Sequence, residues 1–215
     1  MKSDLWKIPN LISIGRLIFL FPAGYFIAQT NRYSPLYALI FLFIAALSDF
    51  IDGFLARRLH QQTELGKILD PLADKIMAAT LVVLLFLHRE FPLWLAALIL
   101  GRDLLIMLGG IYLRRKIGFV APSNLSGKYC FAAIAVLLLS YVINFRFGID
   151  MFLIIAIALM TLSLIAYIRS FIIALKTGAL PKFKDRPTYK YLRIGVTVSL
   201  SAIFLYNLFM AFIIN

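Results

Sequence analysis

The sequence predicts an all-α protein: a polytopic transmembrane helix bundle with a six-helix core and a seventh span at its C-terminal end. Three observations carry that prediction. The 215 residues are 62% hydrophobic and only 15% charged, whereas a soluble domain is about 45–50% apolar. The apolar residues fall into seven runs, each close to the ~20 residues that a helix needs to cross the hydrocarbon core. The basic residues collect in alternate connections between those runs, which is the pattern that orients membrane helices.

Residues 1–10 hold Leu5, Trp6 and Ile8 among Lys2, Asp4 and Lys7. A tryptophan beside charges at the mouth of a span predicts a segment lying in the membrane interface. The first span is Leu11–Gln29. No small-residue cleavage pattern follows its apolar core, so it is expected to be retained and not removed as a signal peptide. Spans two to six are Pro35–Ala56, Ile68–Leu87, Pro92–Leu113, Leu125–Ile143 and Met151–Leu175, so residues 11–175 form the core. Residues 176–191, with Pro181, Pro187 and several charges, form a basic linker suited to anionic headgroups. Residues 192–215 supply the seventh span, Leu192–Ile214.

With the N-terminus in the cytoplasm, sixteen lysines and arginines fall on the cytoplasmic side, Arg16 counted among them. Arg32, Arg89 and Arg146 fall opposite. That asymmetry sets the orientation by the positive-inside rule. The net charge of +12 is thereby explained by membrane lipid and orientation. Nucleic-acid binding is excluded because no contiguous soluble domain presents a basic face. Cys130 is the chain's one cysteine, so no disulfide within the chain is available, and with no histidine nearby it reads as an apolar filler.

Four charges stand where a membrane protein avoids them. A carboxylate in a spanning helix costs about 2.5–3.5 kcal/mol on insertion scales, yet Asp49 and Asp52 lie near the end of span two and Asp70 and Asp74 near the start of span three. All four therefore sit at similar depth, on helices joined by one short connection facing the cytoplasm. Asp49 and Asp52 are three residues apart and Asp70 and Asp74 four, so each pair shares a helix face. Four like charges in a low dielectric repel strongly, and nearby Arg57 and Lys75 are too few to neutralise them. Divalent cations resolve the repulsion, and an all-oxygen set suits Mg²⁺ or Mn²⁺ better than zinc. Gly53 removes a side chain where a ligand would approach, Ala56 keeps that face narrow, and Arg57 could clamp a phosphate. Gly66 serves either close approach or a helix cap. Pro71 fits either a helix first turn or a kink.

Residues 49–74 read DFIDGFLARRLHQQTELGKILDPLAD. The pattern D-x2-D-G-x2-A-R-x8-G-x3-D-x3-D resembles the signature of the CDP-alcohol phosphotransferase family, with Asp49, Asp52, Gly53, Ala56, Arg57, Gly66, Asp70 and Asp74 all in place. The family core is a six-helix bundle, usually a homodimer, so the resemblance covers the first six spans and the seventh departs from it. It implies that Asp49, Asp52 and Asp70 are ligands of two Mg²⁺ or Mn²⁺ ions, with Asp74 a ligand, the general base, or both. It implies further that Asp52, Gly53, Ala56, Arg57 and Gly66 contact the CDP moiety of CDP-diacylglycerol.

The acceptor is less legible. An acceptor carrying phosphate needs cationic partners, and three are candidates: Arg102 inside span four, Lys128 opening span five, and Arg169 near the cytoplasmic end of span six. A buried arginine usually faces a partner or cavity, so Arg102 could equally be structural, paired with an acidic residue across the bundle. Lys128 and Arg169 could equally snorkel to the interface. The strings IPNLISIGR, GRD (101–103) and SGK (126–128) resemble the phosphatidylglycerophosphate and cardiolipin branches of the family. Glycerol 3-phosphate is the acceptor implied first, then phosphatidylglycerol, with serine and inositol phosphate also open. A secondary transporter is the alternative class, since intramembrane charges mark ion pathways there too. The lack of an inverted repeat, and charges gathered at one side instead of mid-membrane, argue against it.

Overall fold

The computed structural model describes residues 15–58, 66–117, 125–177 and 187–214, with side chains described outside positions 49–50, 52–58, 66–72, 187–193 and 211–214. These residues are helical apart from short connections, with no strand among them. Helix α1 is Leu20–Ala28, continuing a helical turn that begins at Gly15; α2 is Ser34–Arg58 and α3 Gly66–His88. They are followed by α4 (Leu93–Ile117), α5 (Leu125–Val142), α6 (Arg146–Thr177) and α7 (Pro187–Ile214).

Each expected span overlaps a helix among the described residues, and the differences lie at the ends. A helix need not stop where hydrocarbon stops. The second continues to Arg58 and the fourth to Ile117, and basic residues in a last turn suit the negative end of the helix dipole. The sixth begins at Arg146 instead of Met151, and its 32 residues rise about 48 Å at 1.5 Å per residue, well beyond a ~30 Å hydrocarbon core. The seventh begins at Pro187, where a proline at the first helical position loses no hydrogen bond. Among the described residues α4, α5 and α6 are long and apolar enough to cross a membrane, and Gly15–Ala28, Ser34–Ser48 and Ile194–Met210 are shorter apolar helices. Large apolar side chains face outward, Phe21 at 79%, Ile154 at 71% and Phe43 at 69% exposure, as they do where lipid is the solvent. The protein is an integral membrane helical bundle.

Contacts divide the chain into two units. The first comprises the described chain up to Leu100, with Tyr141–Ile143. Within it α1 packs against both α2 and α3. Small residues are buried on these helices: Ala23 and Gly24 on α1, Ala38 and Ala45 on α2. In lipid, where hydrophobic burial between helices is worth little, such residues let backbones approach. A Cβ added at Gly24 would stand 3.1 Å from a Leu84 methyl of α3. At one end of the unit, the carbonyl of Gln29 accepts from Ser34 Oγ (3.0 Å) and from Arg89 Nη2 (3.2 Å), tying two connections together. Burial lowers the Arg89 pKa from its ordinary value, though a guanidinium remains charged.

The second unit comprises residues 101–140 and 144–214 of the described chain. Its α5–α6 corner turns at Asn144, in the left-handed region at φ 53°, which asparagine tolerates better than most residues. The Phe145 N–H then closes on the Ser140 carbonyl at 2.9 Å, as in a Schellman ending. Just beyond, Gly148 lies against Phe145, Ser140 and Phe204 of α7. On α4, Gly109 makes room for Tyr167 of α6, whose Oη donates to the Ile106 carbonyl at 3.0 Å.

Candidate functional site

The acidic motif is carried by α2 and α3, the two helices that share α1 as a packing partner. Residues 49–58 and 66–74 are continuous helix. Positions 49 and 52 therefore share a face of α2, and 70 and 74 a face of α3. The metal-ligand reading of Asp49, Asp52 and Asp70, and the CDP-contact reading of Gly53, Ala56, Arg57 and Gly66, concern side chains outside the described residues. The expected interfacial segment 1–10, and residues 178–186 of the expected linker, also lie outside them.

Asp74 is described, and it has a partner that the sequence did not suggest. Arg16, just ahead of α1, donates from Nη1 to Asp74 Oδ1 at 2.6 Å. The arginine side chain is wholly buried and the carboxylate 40% exposed. The residue counted as a cytoplasmic charge by the orientation rule is thus inside the protein, against one carboxylate of the motif. One signal for it was available: Arg16 lies within an apolar run, where a charge needs a partner. Of the four motif carboxylates, Asp74 is the one whose side chain is described, and it is partly accessible.

The second unit holds the three acceptor candidates. Arg102 donates to Asp103 Oδ1 at 2.6 Å and to Ser163 Oγ at 2.8 Å. A Cβ at Gly127 would meet the same Ser163 hydroxyl at 3.8 Å. The two short strings flagged in the sequence, GRD and SGK, therefore converge on one serine of α6 that sequence reasoning missed. Arg102 is largely buried, 12% exposed, and its Nε is buried without a hydrogen-bond partner. Lys128 and Arg169 are exposed.

An integral-membrane helical bundle with a carboxylate motif split over two consecutive helices is matched by one class, membrane transferases of phosphate-containing groups. The family is specific. The CDP-alcohol phosphatidyltransferase model matches residues 6–214, so the chain belongs to that family of phospholipid-biosynthetic enzymes, and the match takes in the seventh helix as well as the six expected to form the core. Among its relatives is the CDP-diacylglycerol–glycerol-3-phosphate 3-phosphatidyltransferase of Aquifex aeolicus, 42% identical over 138 residues, covering 62% of this chain and 74% of the relative. The Escherichia coli protein of the same name is 36% identical over 106 residues, 47% of this chain and 57% of the relative. The cardiolipin synthase (CMP-forming) of Streptomyces coelicolor is 35% identical over 127 residues, 56% of this chain and 58% of the relative.

Proposed function

We propose that this enzyme transfers the phosphatidyl group of CDP-diacylglycerol to glycerol 3-phosphate, releasing CMP and forming phosphatidylglycerophosphate. The carrying observation is the eight-position motif on two uninterrupted helices, with the Asp74 carboxylate accessible and oriented by a buried arginine. Asp74 takes the proton of the acceptor hydroxyl as its oxygen attacks the phosphatidyl phosphorus. The new P–O bond replaces the bond to CMP, which leaves with its electron pair. Asp49, Asp52, Asp70 and Asp74 would hold Mg²⁺ or Mn²⁺, two ions in the family pattern. Bound there, these ions supply charge neutralisation for the pyrophosphate and the leaving CMP. Gly53, Ala56, Arg57 and Gly66 would receive the CDP moiety, leaving the lipid tails in the bilayer.

The acceptor assignment draws on the relatives named for glycerol 3-phosphate and on the cations Arg102, Lys128 and Arg169. A second reading, phosphatidylglycerol as acceptor, draws on the relatives named cardiolipin synthase. By the positive-inside rule the motif ends of α2 and α3 face the cytoplasm, and the working unit is a homodimer, as the family pattern implies.

The test is CMP release by purified protein given CDP-diacylglycerol, Mn²⁺ or Mg²⁺, and one acceptor at a time: glycerol 3-phosphate, phosphatidylglycerol, serine, inositol or inositol phosphate. Release is expected with glycerol 3-phosphate, abolished by EDTA and restored by adding back Mn²⁺. Release with phosphatidylglycerol instead selects the second reading. No release with any acceptor, and no binding of CDP-diacylglycerol, would overturn phosphatidyl transfer and return the transporter reading. Arg102 has its own test. If it binds the acceptor phosphate, Arg102→Gln raises the KM for glycerol 3-phosphate about tenfold or more, the worth of a charge-assisted hydrogen bond, and leaves the KM for CDP-diacylglycerol unchanged. A lower melting temperature with both KM values intact would assign it to holding α4 on α6.

A further inference from the structure

We infer that Arg16 is a positioning residue for Asp74, acting from behind the carboxylate and never on the substrate. The inference rests on the phosphatidyl-transfer reading for the purpose it assigns, while the geometry stands by itself. Arg16 is 0% exposed. A guanidinium keeps its charge in proteins, and burying it carries a penalty of several kcal/mol that only a well-placed partner offsets. With its side chain sealed inside the protein, a role in the reaction is read through another side chain.

Asp74, 58 positions away in sequence, is such a side chain. The 2.6 Å separation is at or below the short end of charge-assisted N–H···O bonds. The pair is asymmetric: the cation is sealed inside and the carboxylate reaches the accessible edge. That arrangement suits a group that reacts, the cation holding it from inside while part of the carboxylate stays accessible. The chain around Arg16 supports the placement. The Phe19 N–H bonds to the Arg16 carbonyl at 3.2 Å, three residues back, so the helix tightens into a 3₁₀-type turn immediately after the arginine. From Leu20 onward α1 packs on α3 through Gly24 and Leu84, which fixes the arginine's backbone against the helix that carries Asp74. Partners of this kind, one shell behind a reacting or metal-binding carboxylate, typically change affinity or rate by about 10–100-fold when removed.

The experiment compares the parent with Arg16→Gln and Arg16→Lys. It uses purified full-length protein and reads Mn²⁺ affinity, CDP-diacylglycerol binding, the steady-state constants and the melting temperature. Arg16→Gln is expected to fold, to lose about 10–100-fold in Mn²⁺ affinity and kcat, and to keep the KM for CDP-diacylglycerol within about twofold. Arg16→Lys keeps the charge but loses the planar fork, and recovers part of both losses. A folded Arg16→Gln protein with parental Mn²⁺ affinity and kcat would overturn the inference. If Arg16→Gln does not fold, Arg16→Lys decides: reduced Mn²⁺ affinity in a folded protein supports positioning, and parental affinity with parental kcat overturns it. Mn²⁺ and donor binding need no acceptor, so failure of the parent to release CMP bears on the proposed function and not on Arg16.

Discussion

Asp74→Asn is expected to cut CMP release by at least about 10²- to 10⁴-fold, the range a general base contributes, with more lost if the carboxylate also binds metal. The amide cannot take a proton at neutral pH and is a poorer ligand for a hard cation. Its carbonyl oxygen can still accept from Arg16 where Oδ1 does now, so the contact between α3 and the chain ahead of α1 persists in weaker form. The variant should therefore purify as a folded protein that still binds CDP-diacylglycerol. The measurement is single-turnover CMP release at saturating donor, alongside a melting curve. Activity within tenfold of the parent would remove Asp74 from the reaction. Loss of folding with loss of activity would require Asp70→Asn as the second arm, since Asp70 belongs to the same motif.

The largest structural effect is expected at Gly148. A Cβ there would lie 2.5 Å from Phe145 Cδ1, 2.6 Å from Ser140 Oγ and 2.9 Å from Phe204 Cε2. None of the three neighbours can move without consequence. Phe145 closes the end of α5 through its N–H to Ser140. The Ser140 hydroxyl donates to the Val136 carbonyl at 2.8 Å. Phe204 packs edge-on against Phe145 and Phe152, with centroids at 5.5 and 5.4 Å, and so holds α7 to α6. Overpacking of this kind costs about 1–3 kcal/mol for one carbon, so Gly148→Ala should lower the melting temperature clearly, and Gly148→Leu should lower it further. Pairing Gly148→Ala with Phe204→Leu is expected to recover part of the loss, because a smaller α7 side chain vacates the space. An unchanged melting temperature in Gly148→Ala would mean that the α6–α7 contact yields freely.

The helices were legible because membrane hydropathy is a local signal. Each span announces itself in about 20 consecutive residues, and no partner is needed to recognise it. The acidic motif was legible for a similar reason: Asp49 and Asp52, then Asp70 and Asp74, are spaced by helix periodicity within one 26-residue stretch. Helix ends were harder to locate, because charged residues such as Arg57, Arg58 and Arg146 continue a helix after the apolar run has ended, and hydropathy reports only the lipid boundary.

What sequence alone determined here is the membrane bundle, its helical segments and the family motif, all of them encoded in spacings within single segments. Tertiary structure alone decided which distant residues complete those segments. Arg16 looked like one more cytoplasmic cation until packing sealed it behind Asp74. Ser163 looked like a small polar residue in an apolar span until Arg102 and Gly127 met at its hydroxyl. Gly148 looked like any glycine until Phe204 came against it. The physical reason is common to all three: a charge or hydroxyl in lipid must find a partner and a crowded backbone must find room, but which residues answer depends on how helices pack, which no single segment encodes.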